Sequence, residues 1–195
     1  MSPAFDRPWR HVPNGITVVR GLLIPVIGWL LAEERYENAF WIVVVSALSD
    51  LVDGQIARRF NAHSRFGAIA DPVADKLTML TVVIGLMWQG LLPLWLAVAL
   101  IARDVVIVAG AAAYHRYIEP VEMAPTWLSK LNTALEFAVL AGVLADAAEL
   151  FEVGAWLPMA FALVFCTVIA SGVQYVWIWG RRALSRRRLL RTGAG

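Results

Sequence analysis

Polar connectors, one of them as long as HRYIEPVEMAPTW, and a tight turn at GLLP (90–93) cut this chain into six apolar stretches, each near the length that crosses a bilayer, and that pattern restricts the fold more than any other feature. Roughly 20 apolar residues in helical form span the hydrocarbon core of a membrane. Inside lipid each backbone N–H and C=O must find its partner within the segment, which leaves the helix as the form for stretches like these. The expected spans run from about Thr17 to Ala32, Ala39 to Phe60, Phe66 to Trp88, Leu94 to Tyr114, Leu128 to Ala148 and Trp156 to Trp179. Pro25 is a candidate kink in the first. Residues 1–13, with Trp9, Arg10 and His11 ahead of Pro13, are expected to lie at the interface as a short N-terminal helix. Residues 181–195 form a basic tail. The expected fold class is therefore all-α integral membrane, with six transmembrane helices in a single domain over residues 1–195.

Composition agrees. Hydrophobic residues make up 59% of the chain and charged residues 16%, below the roughly 25% usual for soluble domains. Arg7 and Arg10 precede the first apolar run as in a secretory signal, but that run ends in LLAEER without a small-residue cleavage site, so it is expected to be retained. The single cysteine, Cys166, sits in the apolar run ALVFCTVIA and excludes an internal disulfide or a cysteine metal cluster. The basic residues lie beside apolar spans instead of on a soluble face, which argues against nucleic acid as a partner.

Charge asymmetry sets an expected orientation. Arg7, Arg10, Arg59, Arg65, Arg116 and the six tail arginines fall on one side of an alternating topology. The other side holds Arg35 among Glu33, Glu34, Glu37, Asp146, Glu149 and Glu152. By the positive-inside rule both termini and the link between spans two and three face the cytoplasm, in a cell (inner or plasma) membrane.

Four aspartates stand out against this apolar background: Asp50 and Asp53 in the second span, Asp71 and Asp75 in the third. A carboxylate at the centre of a membrane helix costs roughly 2.5 to 3.5 kcal/mol, so four cost on the order of 10 kcal/mol unless compensated. At 100° per residue, Asp50, Asp53, Gly54 and Ala57 fall on one face with Arg58 at its edge. Gly67, Asp71 and Asp75 follow one another at steps of four. The connecting NAHSR is short, so the two helices are expected to be antiparallel neighbours with converging acidic faces. Oxygen ligands without nearby imidazole or thiolate suit a hard cation, Mg²⁺ or Mn²⁺, and the charge leaves room for two ions. Two-metal sites clamp phosphates undergoing in-line displacement, and Arg58 is positioned to meet phosphate oxygens. Ion pairing alone is the plainer reading. A metal-dependent ion or lipid carrier is the non-enzymatic alternative, although the glycines between the acids leave space a pore does not need.

The pattern D-x2-D-G-x2-A-R-x8-G-x3-D-x3-D, standing here as Asp50, Asp53, Gly54, Ala57, Arg58, Gly67, Asp71 and Asp75, resembles the signature of the CDP-alcohol phosphotransferases at each defined position. PNGITVVR at 13–20 is similar to the PNxxTxxR opening of bacterial members, and the likeness extends over about residues 12–150. The resemblance implies a six-helix membrane enzyme, usually a homodimer, that transfers a phosphatidyl group from CDP-diacylglycerol to an alcohol in phospholipid biosynthesis and releases CMP. Carried over by position, Asp50, Asp53 and Asp71 bind the metals, with Asp75 as ligand and general base. Gly54, Ala57, Arg58, Ser64, Gly67, Asn14 and Thr17 contact the CDP moiety.

The acceptor is expected to be read elsewhere. Arg103 and Lys130 are cations within or beside apolar spans, where charge defaults to function; the plainer readings are an ion pair for Arg103 and snorkelling for Lys130. The run IADPVADK at 69–76 resembles both phosphatidylglycerophosphate synthases and CMP-forming cardiolipin synthases. The Arg103–Asp104 pair and PTWLSKLNTA at 125–134 look more like the latter, with Arg103, Lys130 and Asn132 as acceptor contacts. Phosphatidylglycerol is the expected acceptor and glycerol 3-phosphate the alternative. His63 and His115 read as solvated loop residues. The nine tryptophans read as interfacial anchors or lipid-facing bulk, and the tail arginines as partners for anionic headgroups at about 1 kcal/mol each.

Overall fold

A computed structural model describes residues 12–60, 67–117 and 126–192, with side chains for 19–49, 73–114, 116 and 126–181. Among the described residues the regular structure is all helix, with no strand. Helix α1 covers Val12–Ala32, α2 Tyr36–Phe60, α3 Gly67–Trp88, α4 Leu94–Tyr117, α5 Trp127–Ala147 and α6 Leu157–Thr192, the last preceded by a 3₁₀ turn at Gly154–Trp156. The expected interfacial helix falls mostly outside the described residues, but Val12 and Pro13 open α1 instead of belonging to it. Pro13 fits there because its missing N–H belongs to the first turn, where no intrahelical partner exists. Pro25 lies inside α1 without ending it. At the other end the basic tail is part of helix α6 through Thr192, which suits its arginines, leucines and alanine, all good helix formers.

Three helices in the expected spans are long and apolar enough to cross a membrane among the described residues: Leu94–Tyr114, Trp127–Ala147 and Gly154–Arg181. Val19–Ala32 is a shorter apolar segment. Large apolar side chains are exposed on α1 (Leu22), α2 (Val45), α3 (Leu80), α4 (Val98 and Val108) and α6 (Val173).

The odd-numbered helices α1, α3 and α5 end alike. After α1, the amide of Glu34 donates to Leu31 O and that of Arg35 to Leu30 O. After α3, Gly90 donates to Met87 O and Leu91 to Leu86 O. After α5, Glu149 donates to Asp146 O and Leu150 to Ala145 O. This is the Schellman pattern, which needs a left-handed residue just past the helix. Gly90 supplies it at φ 73°, while Glu34 and Glu149 are forced to φ 57° and 56°.

The chain forms two compact units. The first contains residues 1–92 with 140–153, the second 93–139 with 154–195. In the first unit α1 packs against both α2 and α3. Matched contacts set a parallel register between α1 and α3: Arg20 meets Asp75, Gly28 faces Thr81, and Leu31 lies on Gly85. Gln89 Nε2 then donates to Leu31 O at 2.8 Å, and Ile27, Leu30, Val82, Val83 and Leu86 fill the seam.

The second unit repeats the arrangement with α4 and α6 parallel. Trp95 meets Phe165 edge-on at 5.3 Å, Arg103 reaches Ser171, and Tyr114 meets Trp179 at 5.9 Å. Helix α5 runs antiparallel to α6, as the pairs Thr126–Gln174, Arg103-bridged Ser129–Ser171 and Asn132–Thr167 require. Thr126 caps α5 by accepting from Ser129 N at 3.2 Å, a contribution of about 1 kcal/mol.

Candidate functional site

The four acids divide between two helix ends in the first unit. Asp50 and Asp53 stand near the C-terminal end of α2, with Gly54, Ala57 and Arg58, and Asp71 stands in the opening turns of α3 after Gly67. Their backbones are helical as expected, while their side chains, like those of Asn14 and Thr17, lie outside the described residues. Ser64 lies wholly outside them, as does His63. The convergence of the α2 and α3 acidic faces therefore involves residues beyond those described. What the structure adds is their common neighbour: α1, which bears Asn14 and Thr17, packs on both helices.

Asp75 is described in full. Its Oδ1 accepts from Arg20 Nη1 at 2.6 Å, joining α3 to α1 across 55 residues of sequence. The two partners differ in burial: the Arg20 side chain is 4% exposed and that of Asp75 50%. A buried guanidinium needs a counter-charge, since truncating one partner of such a pair leaves a charge uncompensated in low dielectric. The acid meanwhile keeps an open face. Each residue stands eight positions into its helix, Arg20 after Val12 and Asp75 after Gly67, so the pair lies about 12 Å along the axis from either helix start. Arg20 closes the PNGITVVR motif, and a cation in that apolar run was the sequence signal for it. Lys76, next to Asp75, is exposed.

The donor chemistry fits a hard divalent cation. The four aspartates of α2 and α3, with no histidine or cysteine on either helix, offer oxygen alone, as Mg²⁺ and Mn²⁺ prefer.

The candidate acceptor residues belong to the second unit. Arg103, 5% exposed, donates through Nη1 to Asp104 Oδ1 at 2.7 Å and through Nη2 to Ser129 Oγ at 2.6 Å and Ser171 Oγ at 3.3 Å. Its Nε is buried without a partner. The ion pair of the plainer reading is thus present, and two hydroxyls join it. Asn132 is fully buried, one turn beyond Ser129, and its Oδ1 takes Thr167 Oγ1 at 2.8 Å while its Nδ2 has no partner. Lys130 points the other way and is exposed. Ser129 and Thr133 lie in the stretch 125–134 that the sequence marks as informative; Glu136, which sequence reasoning did not single out, continues them and Asn132 at helical spacing as a polar stripe on α5. Nor did sequence reasoning single out Thr167 and Ser171, the α6 residues that meet this stripe. Glu136 is buried at 6% exposure and interacts within the structure.

A separate acidic depression lies at the opposite end of the first unit, between Glu34–Asn38 and Ala147–Glu149. Arg35 stacks over Trp29 there at 5.8 Å. Ala32, at the α1 end of that depression, is twelve residues from Arg20, about 18 Å along the helix. The depression is remote from Asp75.

Residues 10–171 match the family model of CDP-alcohol phosphatidyltransferase. The chain is 30% identical to the human CMP-forming cardiolipin synthase over 92% of its own length and 64% of that protein. It is 33% identical to the corresponding Streptomyces coelicolor protein over 56% of the chain and 54% of the relative. It is 30% identical to the chloroplastic CDP-diacylglycerol–glycerol-3-phosphate 3-phosphatidyltransferase 1 of Oryza sativa, over 85% of the chain and 56% of the relative. It thus spans just under two thirds of the human protein. The family match covers the first-span motif, all four aspartates and the Arg103 network together, and the chain belongs to the CDP-alcohol phosphatidyltransferase family.

Proposed function

We propose that this chain is an integral membrane enzyme that transfers the phosphatidyl group of CDP-diacylglycerol to phosphatidylglycerol, forming cardiolipin and releasing CMP. The observation that carries this reading is Asp75: a half-exposed carboxylate, held by a buried cation, in the last position of a family signature. In the proposed reaction the acceptor hydroxyl oxygen attacks the diacylglycerol-bearing phosphorus, the bridging P–O bond to CMP breaks, and Asp75 takes the hydroxyl proton. Asn14, Thr17, Gly54, Ala57, Arg58, Ser64 and Gly67 are assigned to the CDP moiety. Asp50, Asp53, Asp71 and Asp75 are assigned to one or two Mg²⁺ or Mn²⁺ ions. When bound, these supply charge stabilisation for the pyrophosphate and the leaving CMP. The reading includes six spans, both termini and the site mouth on the cytoplasmic side of the cell membrane, and a homodimer.

Phosphatidylglycerol is favoured as acceptor by the cardiolipin synthases among the relatives and by the state of Arg103. The charge of that guanidinium is balanced by Asp104 beside it, which leaves Lys130 as the exposed cation of the candidate acceptor set. A phosphodiester with one negative charge asks less of such a set than a dianionic phosphate. Glycerol 3-phosphate is the second reading, favoured by the rice relative.

The test is CMP release by purified protein with Mg²⁺ or Mn²⁺, CDP-diacylglycerol and either acceptor. Product should form with phosphatidylglycerol, stop on chelation and return with either metal. Asp75→Asn should lower turnover about 10²- to 10⁴-fold, the range for losing a general base. Asparagine still offers Arg20 an acceptor oxygen, so the fold should survive. Absence of CMP with either acceptor sinks the proposal, and flux in proteoliposomes without covalent product would favour a carrier.

A further inference from the structure

We propose that Arg20 is a positioning residue for this reaction, holding the Asp75 carboxylate in the orientation from which it takes the acceptor's proton. The inference rests on the function proposed above. The geometry separates an anchored partner from a reactive one. Arg20 is enclosed on α1, while half the Asp75 side chain is open to whatever binds beside α3. A half-exposed aspartate turns about two side-chain bonds; an ion pair of 2.6 Å to a fixed guanidinium selects among those orientations.

The frame beneath the pair is itself fixed. Leu31 rests on Gly85, Gly28 faces Thr81, and Gln89 ties back to Leu31 O, so α1 and α3 cannot slide past one another without breaking these contacts. Arg20 also stands one turn beyond Thr17 on the same helix. If Thr17 holds the nucleotide, one rigid element carries both the nucleotide contact and the clamp on the base. A guanidinium suits this task better than an ammonium, because its planar fork imposes a direction on a carboxylate where Lys acts as a point charge. Charge neutralisation alone would need no such direction, and that difference makes the role testable.

Arg20→Lys and Arg20→Gln should be prepared as full-length chains in detergent or nanodiscs and assayed with Mg²⁺, CDP-diacylglycerol and phosphatidylglycerol. Kcat should fall about 10-fold in the lysine variant and about 100-fold in the glutamine variant, the scale of a small misplacement of a reacting group. KM for both lipids, and the Kd for CDP-diacylglycerol measured directly, should stay within about threefold of the parent, since the lost interaction belongs to the transition state. Added guanidinium should restore part of the turnover of Arg20→Ala. In an Asp75→Asn background, Arg20→Gln should cost nothing further, because a residue acting through Asp75 has nothing left to act on.

Several results would overturn the proposal. An unchanged kcat, or full recovery by lysine, would reduce the pair to charge balance. A raised Kd for CDP-diacylglycerol with kcat intact would make Arg20 a phosphate ligand instead. Loss of folding in both variants would assign the pair to structure alone. Failure of the parent protein to release CMP is a separate outcome, and removes the functional reading beneath.

Discussion

Leu31 lies against the bare backbone of Gly85: a Cβ built on that glycine would stand 2.5 Å from Leu31 Cδ1, 3.1 Å from its Cβ and 3.3 Å from its Cγ. Leu31 is 1% exposed, so its side chain has little space into which to retreat. Gly85→Ala should therefore destabilise by about 1–3 kcal/mol through overpacking, offset in part by the roughly 1 kcal/mol that alanine gains as a helix former. Thermal unfolding in detergent measures this. Leu31→Ala alone should cost about 2–5 kcal/mol. The double variant should be more stable than the sum of the two, because the cavity made by one accepts the methyl of the other.

Glu34 and Glu149 hold left-handed backbone conformations that L side chains adopt at a cost. Glycine at Glu149 should relieve that strain and raise stability by about 0.5–1 kcal/mol, less the added entropy of the unfolded chain. The same replacement at Gly90 is already natural, so Gly90→Ala should move the melting temperature in the opposite direction. An unchanged melting temperature in both variants would show that the loops absorb the strain.

Lys130 and Arg103 should separate in kinetics. Lys130 is exposed, so Lys130→Ala should leave the melting temperature unchanged and raise the acceptor KM, by about 10-fold for loss of one charge-assisted contact. Arg103→Ala removes the donor to Asp104, Ser129 and Ser171 at once. It should cost about 3–5 kcal/mol of stability, as expected for a buried pair that loses one member. Equal losses of stability in the two variants would contradict the difference in burial.

Tyr36, at the start of α2 in the acidic connector, has its phenol pushed above 10.0, first by burial and then by the negative charge of Glu34. A group whose ionisation is postponed in the fold contributes stability below its unfolded pKa and loses it as pH rises through the folded value. Alkaline destabilisation beginning above pH about 10 should therefore weaken in Tyr36→Phe, with stability at neutral pH unaltered. Phenolate absorbance followed through the alkaline range checks this, since the variant should lose the late-titrating group.

The helices were legible because hydropathy and length alone mark them, and the Gly90–Pro93 turn announced itself by composition. Ends were harder. The arginine-rich segment after Trp179 reads as a tail by charge, yet α6 runs through it because arginine, leucine and alanine favour the helix whatever their hydropathy. Glu34 and Glu149 carry no sign of left-handed backbone, since that conformation is imposed by the helix end. The polar stripe Ser129, Asn132, Thr133 and Glu136 was available as a periodicity on α5, but its partners Thr167 and Ser171 depend on the antiparallel register with α6. In the same way the four acids were plain in the sequence while Arg20 was not tied to Asp75. Nothing local to either helix encodes a parallel alignment across the intervening α2.

That parallel alignment bears on how the protein is made. Arg20 leaves the ribosome with the first helix, and its carboxylate partner follows 55 residues later, after the intervening α2. Under the proposed reading of six membrane spans, Arg20 would enter the bilayer about one turn into the first span without its aspartate, at a cost below the roughly 2.5–3.5 kcal/mol of a charge at a helix centre. The debt is settled only when α3 enters beside α1 in the same direction. On that reading biogenesis would have a checkpoint written in charge: a nascent chain truncated before Asp75 should insert α1 less completely than one that extends past it.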